Sequence, residues 1–320
     1  MLKTTDPYYN LAVEEYLFSH SEEDVFMLWQ NDRTVVIGKN QNAYAELDVD
    51  YAKEQGIRIA RRITGGGAVY HDMGNLNYTC ISSKKGEREI DFATFCQPIV
   101  EVLGEMGVKA ELSGRNDLLV NGKKISGNAQ HSSKGRVLHH GTLLYDSDMT
   151  VLESVLRADP EKLKTKAIRS VSSRVMNLCE IMRLEGGVRE LAERIHSGLM
   201  EKNGGEPVEA PKNAEIDAIA CRNASDEWLF PERAYLSAYS ITKKRRYPFG
   251  SVEILLQMSG DRIESAHVSG DFFGNEPISA LEACLAGAKR TEIPVRLETV
   301  ALERYIFGMT ERELIELLTE

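Results

Sequence analysis

The chain has 320 residues, a hydrophobic fraction of 42% and a net charge of −10. This length suits one large domain or two unequal ones, and the acidic balance argues against nucleic-acid binding, which requires an excess of positive charge to neutralise phosphates. The five cysteines are scattered without a C-x-x-C pair, which predicts reduced thiols and no zinc site, and the polar first segment favours the cytoplasm. The sequence has no run of about 18 apolar residues, so no membrane span is predicted.

Short strands alternate with helices in the first half of the chain. Residues 10–20 have a helical composition, and Asp91 can cap a helix that runs to Met106 and stops at Gly107. Asn121-Gly122 is a strong hairpin signal within residues 118–126. β-Branched and alternating runs predict further strands at 25–29, 34–37, 57–64, 76–81 and 137–145.

The second half ends in a smaller α+β unit. Helices are predicted at 151–156 and 188–202 before this unit, and the unit itself has predicted strands at 250–258 and 263–268 and predicted helices at 278–289 and 310–318. Thr310 and Glu313 form a capping-box pattern. The basic run 243–246 is interpreted as a solvated linker, which divides the chain into residues 1–243 and 247–320.

Three consecutive glycines follow two arginines in the stretch Arg61-Arg62-Ile-Thr64-Gly65-Gly66-Gly67. Such glycines lose backbone entropy on folding and bury no side chain, so they indicate a place where a ligand lies against bare backbone. Alternation in the preceding strand puts Arg62 and Thr64 on one face. Both arginines are expected to add fixed positive charge for a phosphate or carboxylate. The pattern favours a site for a charged, extended small molecule over a surface turn.

The hairpin around Asn121-Gly122 brings an acid and a lysine together. If Leu119 pairs with Lys124 and Asp117 with Ser126, the side chains of Asp117 and Lys124 share one face. An exposed ion pair is the alternative interpretation. Lys123 points to the opposite face, and the local sequence leaves open which lysine enters a cleft.

Two adjacent histidines, His139 and His140, begin an apolar strand. Neighbouring strand residues point to opposite faces, so at most one of the two is expected to face a site. No third ligand is spaced to complete a metal centre. The sequence contains neither a P-loop nor a G-x-G-x-x-G fingerprint nor a G-x-S-x-G elbow, so a bound nucleotide would need another glycine-rich loop.

These stretches occur in the order seen in a known family. The segment 61–75, together with Lys124-Ile-Ser-Gly-Asn-Ala129 and His139-His140-Gly-Thr, resembles the signature of the lipoate–protein ligase A family within the biotinyl/lipoyl protein ligase superfamily. Residues 246–254 are similar to the accessory C-terminal domain of that family. Further matching segments are residues 6–15, 34–38, 113–117 and 170–178.

The resemblance implies an α+β fold, with a mixed sheet flanked by helices and a small α+β accessory domain. It implies an ATP- and Mg²⁺-dependent ligase that converts lipoate to lipoyl-AMP and then transfers the lipoyl group to a lysine of a carrier protein. Octanoate is often an alternative acyl substrate. The implied carriers are a glycine-cleavage H protein or a 2-oxoacid dehydrogenase lipoyl domain, with no nucleic-acid or membrane partner.

The resemblance also assigns residues. Lys124 matches the essential lysine, and Asp117 is a candidate for holding Mg²⁺. An acyl arm also needs an apolar tunnel, for which Trp29, Val36 and Leu144 are candidates from strand placement alone. The ATP-binding positions are Arg62, Gly67, Ala68, Val69, Tyr70, Asn116, Asp117 and Lys124. The positions lining the lipoyl arm or adenylate are Arg62, Thr64, Gly65, Gly66, Gly67, His71, Lys124, Ala129 and His140.

Three rival functions remain open. An octanoyltransferase of the same fold uses a cysteine thioester, but no cysteine lies between Lys124 and Arg174 or in the glycine loop. A biotin ligase lacks support because its arginine- and glycine-rich adenylate loop is absent. A non-catalytic lipoate sensor or carrier-binding protein is argued against by the retained Lys124 and Arg62. An acidic carrier could meet Lys162, Lys164, Lys166 and Arg169, or these could form an ordinary solvated surface.

Overall fold

The computed structural model describes residues 1–84, 90–157, 174–231 and 238–319. It confirms the predicted α+β class: a six-stranded antiparallel sheet and two three-stranded sheets carry helices on their faces. Within these residues, no helix combines the length and the apolar character needed to cross a bilayer.

The large sheet has the strand order β1-β5-β9-β8-β7-β6, and a small sheet beside it has the order β3-β2-β4. In the small sheet β2 runs parallel to β3 and antiparallel to β4. The strands are β1 (Val25–Trp29), β2 (Thr34–Ile37), β3 (Arg58–Arg61), β4 (Val69–His71), β5 (Asn75–Ser83), β6 (Glu111–Ser113), β7 (Asp117–Val120), β8 (Lys123–Ser133) and β9 (Arg136–Leu144).

Helices cover the large sheet. Helix α1 begins earlier than predicted, because Asp6 caps it by accepting bonds from the backbone N–H groups of Tyr8 and Tyr9 at 2.8 and 3.2 Å. The helix predicted after Asp91 is confirmed. The helices of this part are α1 (Pro7–His20), α2 (Ala43–Glu46), α3 (Val49–Glu54), α4 (Phe92–Glu105), α5 (Met149–Val155), α6 (Gly187–Asn203), α7 (Ala214–Asn223) and α8 (Asp226–Leu229).

The C-terminal part has its own sheet and core. Strands β10 (Ile241–Tyr247), β11 (Gly250–Ser259) and β12 (Arg262–Gly270) are antiparallel neighbours. Their apolar face packs on helices in a separate cluster that includes Ile254 and Leu314, both fully buried. The helices are α9 (Ile278–Leu285), α10 (Ile293–Leu297), α11 (Leu302–Tyr305) and α12 (Glu311–Thr319).

Two interpretations of this part are corrected. Residues 243–246 lie inside β10 and pair with β11, so the basic run is not a solvated linker. Helix α9 ends at Leu285 rather than 289, because Gly287 takes a φ of 75° that starts a turn. The capping box is confirmed: Thr310 N and Oγ1 bond the Glu313 carboxylate at 2.9 and 2.8 Å.

The register of the β7–β8 hairpin differs from the prediction by one residue beyond a bulge. Leu119 pairs with Lys124 as expected, but Asp117 lies opposite Gly127 instead of Ser126. The bulge inserts an extra residue into β8, a feature that re-aims side chains near sites. Asp117 and Lys124 nevertheless remain neighbours.

Two histidines are enclosed by the large sheet and its helices. His139 is fully buried beside Cys96, and His131 is nearly so. Burial lowers the pKa of His139 to about 3 and the pKa of His131 to about 4. Both imidazoles are therefore neutral in the folded protein at pH values where an unfolded chain would protonate them.

This difference predicts acid lability. Above the unfolded-state pKa of about 6.5, neither histidine makes the free energy of unfolding depend on pH. Between pH 6.5 and 5 only the unfolded chain gains protons, so the free energy of unfolding falls by about 1.5 kcal/mol per histidine. Urea unfolding at several pH values measures this. We expect a flatter pH dependence for His139→Gln and the wild-type slope for Asn203→Gln, a change at an exposed residue that carries no titratable group. Identical slopes in all three proteins would contradict the assignment.

Candidate active site

A cavity of about 190 Å³ opens where α1, β2, β4, the β7–β8 hairpin, β9 and the segment after β12 converge. Twelve of the predicted residues line it: Trp29, Val36, Arg62, Gly67, Ala68, Val69, His71, Asn116, Asp117, Lys124, Ala129 and His140. The predicted residues that do not line it are Thr64, Gly65, Gly66, Tyr70 and Leu144.

Lys124 and Asp117 form an ion pair on the cavity wall. The Lys124 Nζ lies 2.8 Å from Asp117 Oδ1, and each side chain is about one-third exposed (31% and 36%). The Lys124 side chain passes over Gly127, where a Cβ atom would come within 2.8 Å of Nζ. Gly127 therefore leaves the space in which the ammonium group lies.

Each glycine of the 65–67 stretch has its own structural reason. A Cβ on Gly65 would lie 2.3 Å from the Phe272 carbonyl oxygen, so bare backbone is required for that contact. Gly66 has a φ of 93°, which favours glycine, and its N–H bonds the same carbonyl at 3.2 Å. Gly67 faces the cavity. The loop thus joins the C-terminal part on one side and the cavity on the other.

Arg62 is buried behind this loop. Its Nε donates to Thr64 Oγ1 at 3.0 Å, and its Nη1 donates to the Val36 carbonyl at 3.1 Å. Its Nη2 bonds the carbonyls of Gly65 and Gly67 at 2.7 and 2.9 Å. Burial lowers the pKa of Arg62 to about 10. Because four of its five N–H donors bond the protein, this guanidinium fixes the shape of the loop.

Arg61 points elsewhere. Its guanidinium bonds the carbonyls of Gln41 and Leu229 at 2.6 and 2.8 Å, and it does not line the cavity. The expectation that both arginines supply charge to the site is therefore wrong for Arg61. Strand β3 ends at this residue, so the strand predicted to Thr64 is also shorter than expected.

Thr64 and His140 belong to one hydrogen-bonded group with Glu14. Thr64 Oγ1 lies 2.9 Å from His140 Nε2, and His140 Nδ1 lies 2.9 and 3.0 Å from the two oxygens of Glu14. Thr64 is fully buried and supports the wall instead of forming it. Glu14 was not predicted from the sequence, although an acidic residue among the apolar residues of a helix is a signal of such a role.

Tyr70 and His71 face opposite sides of β4. The Tyr70 ring packs in a core cluster with Val35, and Tyr70 does not line the cavity. His71 Nδ1 accepts a bond from Asn31 Nδ2 at 3.1 Å. Burial, and next Arg62, lower the pKa of His71 to about 3, which keeps this imidazole neutral.

The C-terminal part completes the cavity with Asp271, which sequence analysis did not identify. Its carboxylate accepts a bond from Ser251 N–H, and its backbone carbonyl accepts one from Arg115 Nη1 at 3.3 Å. The Arg115 guanidinium also lies 4.7 Å from the centre of the Phe273 ring. The other lining residues that were not predicted from the sequence are Leu11, Asn77, Arg115, Gly127, Asn128, Gly141 and Thr142.

The cavity has two chemically different regions. Leu11, Trp29 and Val36 belong to one apolar cluster and form an apolar wall. Lys124, Asp117 and Arg115 supply charge elsewhere in the same cavity. Such a site suits a molecule with an apolar arm and an anionic end.

Two family models match the chain. The "Lipoyl protein ligase A/B catalytic domain" matches residues 6–199, and the "Bacterial lipoate protein ligase C-terminus" matches residues 237–318. Lipoate-protein ligase LplJ of Bacillus subtilis is 36% identical over 98% of this chain and 97% of its own length. Lipoate–protein ligase 1 of Staphylococcus aureus is 35% identical, with the same two coverages.

Solved structures share the fold. LipL1 of P. falciparum, in complex with lipoate, matches with a TM-score of 0.77 and 24% identity over 93% of this chain and 92% of its own. A bi-partite lipoate protein ligase of Thermoplasma acidophilum, described with its E2 lipoyl domain, has a TM-score of 0.62 and 28% identity over 72% and 94%.

A third structure, lipoate-protein ligase A bound with ATP, has a TM-score of 0.58 and 28% identity over 70% of this chain and 93% of its own. The catalytic-domain model covers more than half of the chain, and the bacterial relatives match nearly all of it. The chain therefore belongs to the lipoate–protein ligase family and is an enzyme.

Proposed function

We propose that this ligase activates lipoate with ATP to lipoyl-AMP and pyrophosphate, and then transfers the lipoyl group to a lysine of a carrier protein. The observation that supports it most is the Lys124 ammonium, 2.8 Å from Asp117, in a cavity whose other wall is apolar. An acid with a long apolar arm fits that combination. The ATP-bound relative supports a nucleotide in the same fold.

In the first step a lipoate carboxylate oxygen attacks the α-phosphorus, and the bond to the leaving pyrophosphate breaks. Both reactants are anions, so their approach needs a fixed positive charge. Lys124 supplies it from within the cavity, and the Asp117 carboxylate holds the ammonium in place before the substrates arrive. Backbone from Gly67 to Val69 lines the same space and can approach the nucleotide closely.

In the second step the amine of a carrier lysine attacks the acyl carbon, an amide forms and AMP leaves with the bonding electrons. The proton of the amine is released. Lys124 again lies where it can offset charge on the departing phosphate. We propose a glycine-cleavage H protein or a 2-oxoacid dehydrogenase lipoyl domain as carrier; the archaeal relative described with its E2 lipoyl domain supports this class. Lys162, Lys164, Lys166 and Arg169 lie outside the described residues.

Mg²⁺ fits the site through Asp117. Among the described residues no three His, Cys, Asp or Glu side chains are grouped as a metal cage. Mg²⁺ with a nucleotide commonly uses one or two carboxylates and the phosphates, so the Asp117 carboxylate would hold the ion together with the phosphates. When bound, the ion would neutralise phosphate charge.

An octanoyltransferase mechanism is less well supported. It requires an accessible cysteine nucleophile, yet no described cysteine lines the cavity. Burial raises the pKa of Cys96, the cysteine beside His139, to about 12, so its thiol is not activated.

Replacement of Lys124 tests the proposal. Lys124→Ala should lower lipoate-dependent pyrophosphate release from ATP, without carrier, by about 100- to 1,000-fold, because a preorganised charge is lost. Lys123→Ala is the matched control, since Lys123 is the neighbouring residue and is exposed outside the cavity. Equal rates for Lys124→Ala and wild type would contradict the role of Lys124. ATP-independent octanoyl transfer between carriers by the wild type would instead support the octanoyltransferase.

Gly127 offers a second test with the lysine intact. Gly127→Ala places a methyl group against Lys124 Nζ, so the flexible ammonium must move while the fold tolerates the change. We expect pyrophosphate release to fall by about 10- to 100-fold through misplacement of the charge.

The control is Gly104→Ala. Gly104 lies in helix α4 with nothing within 4 Å of an added Cβ. It should leave the rate unchanged and raise the free energy of unfolding by about 0.5–1 kcal/mol, because alanine favours helices. Wild-type activity in Gly127→Ala would refute the claim that this glycine makes room for Lys124.

A further inference from the structure

We propose that Glu14 is a positioning residue that holds the His140 wall and the glycine loop in their active arrangement. This inference rests on the proposed function, because the arrangement is argued to matter for activation of lipoate. Glu14 does not line the cavity, so its effect is exerted through the residues it bonds.

Glu14 is a buried carboxylate with several partners. It is 1% exposed, and it contacts His140 Nδ1 through both oxygens at 2.9 and 3.0 Å. The Thr79 hydroxyl donates to its Oε1 at 2.7 Å, and the same hydroxyl accepts a bond from Trp29 Nε1 at 2.9 Å. Glu14 is thus bonded directly to one cavity wall, His140, and through Thr79 to another, Trp29.

The bond directions fix the histidine tautomer. A carboxylate only accepts, so His140 Nδ1 carries a hydrogen, and in the neutral form of the ring Nε2 is the acceptor. Nε2 then receives the Thr64 hydroxyl at 2.9 Å, and the Thr64 oxygen receives Arg62 Nε–H at 3.0 Å. Each hydrogen bond in this series then has one donor and one acceptor. An amide in place of the Glu14 carboxylate can either donate or accept, so it would not select the Nδ1–H tautomer of His140.

Charge supports the same conclusion. Arg62 is a buried cation, 5% exposed, and the negative charge of Glu14 favours its charged form, while Arg115 disfavours it. A buried charge that loses its compensating partner is destabilised. Because Arg62 holds the carbonyls of Gly65 and Gly67 at 2.7 and 2.9 Å, loss of the Glu14 charge should loosen the loop that faces the cavity.

The next residue provides a matched control. Glu15 bonds Arg222 Nη1 at 2.9 Å, is on the side of helix α1 that meets α7, and has no bond to the cavity residues. Glu14→Gln and Glu15→Gln therefore make the same chemical change one residue apart. The first alters bonds to His140 at the site, and the second alters bonds to Arg222 outside it.

The first measurement is lipoate-dependent pyrophosphate release by wild type, Glu14→Gln and Glu15→Gln, below the melting temperature of each. We expect kcat/KM for lipoate to fall by about 10- to 100-fold in Glu14→Gln, because the cavity walls are misplaced, and to stay unchanged in Glu15→Gln. A residue that only stabilises the fold would lower the melting temperature without changing kcat/KM.

The second measurement needs no activity. Nitrogen-15 spectra of the imidazole rings at a pH where they are neutral report the tautomer, with His140→Gln used to assign the His140 signals. We expect the Nδ1–H form in wild type and Glu15→Gln, and a mixture of tautomers in Glu14→Gln. An unchanged tautomer together with unchanged kcat/KM would overturn the proposal. A wild type that releases no pyrophosphate would refute the proposed function, while the tautomer comparison still decides whether Glu14 orients His140.

Discussion

The rest of the site depends on the hydrogen bonds from the buried guanidinium of Arg62 to the glycine loop. A glycine loop has no side chains to hold its shape, so its conformation must be imposed from outside. Arg62 imposes it through carbonyl bonds to Gly65 and Gly67, and Glu14 lies at the far end of the same hydrogen-bonded series. Side-chain hydrogen bonds thereby connect helix α1, the glycine loop and strand β9 inside an otherwise apolar core.

The C-terminal part is the second constraint on the loop. The Phe272 carbonyl occupies the space that a Gly65 side chain would need and accepts the Gly66 N–H. Asp271, one residue earlier, reaches the cavity, and Gly270 N–H bonds the Asn40 carbonyl at 2.8 Å. The glycine loop is therefore held between Arg62 of the catalytic domain and residues 270–272 of the C-terminal part. Movement of either would change the cavity.

Turn and capping residues in the sequence correctly predicted the features that depend on nearby residues alone. The Asn121-Gly122 turn set the pairing of Leu119 with Lys124, and Asp91 with Gly107 set the ends of helix α4. The β7–β8 bulge was not predicted, because an inserted residue leaves no periodic signal. Glu14 and Asp271 were missed for a different reason: each reaches the site through tertiary contacts with residues far away in the chain, such as His140 and Arg115.

The charge of the whole chain says little about the charge of the site. The protein is acidic overall, yet Arg62, Arg115 and Lys124 line one cavity together with Asp117 and Asp271. Arg62 is committed to the loop and Arg115 to the C-terminal segment, whereas Lys124 bonds a carboxylate in a partly exposed position. An ion pair that is about one-third exposed contributes little net stability, so the ammonium can exchange Asp117 for an incoming anion at small energetic cost. In the proposed function this difference in hydrogen bonding, rather than the number of cations, is the reason that Lys124 is assigned to the reacting atoms.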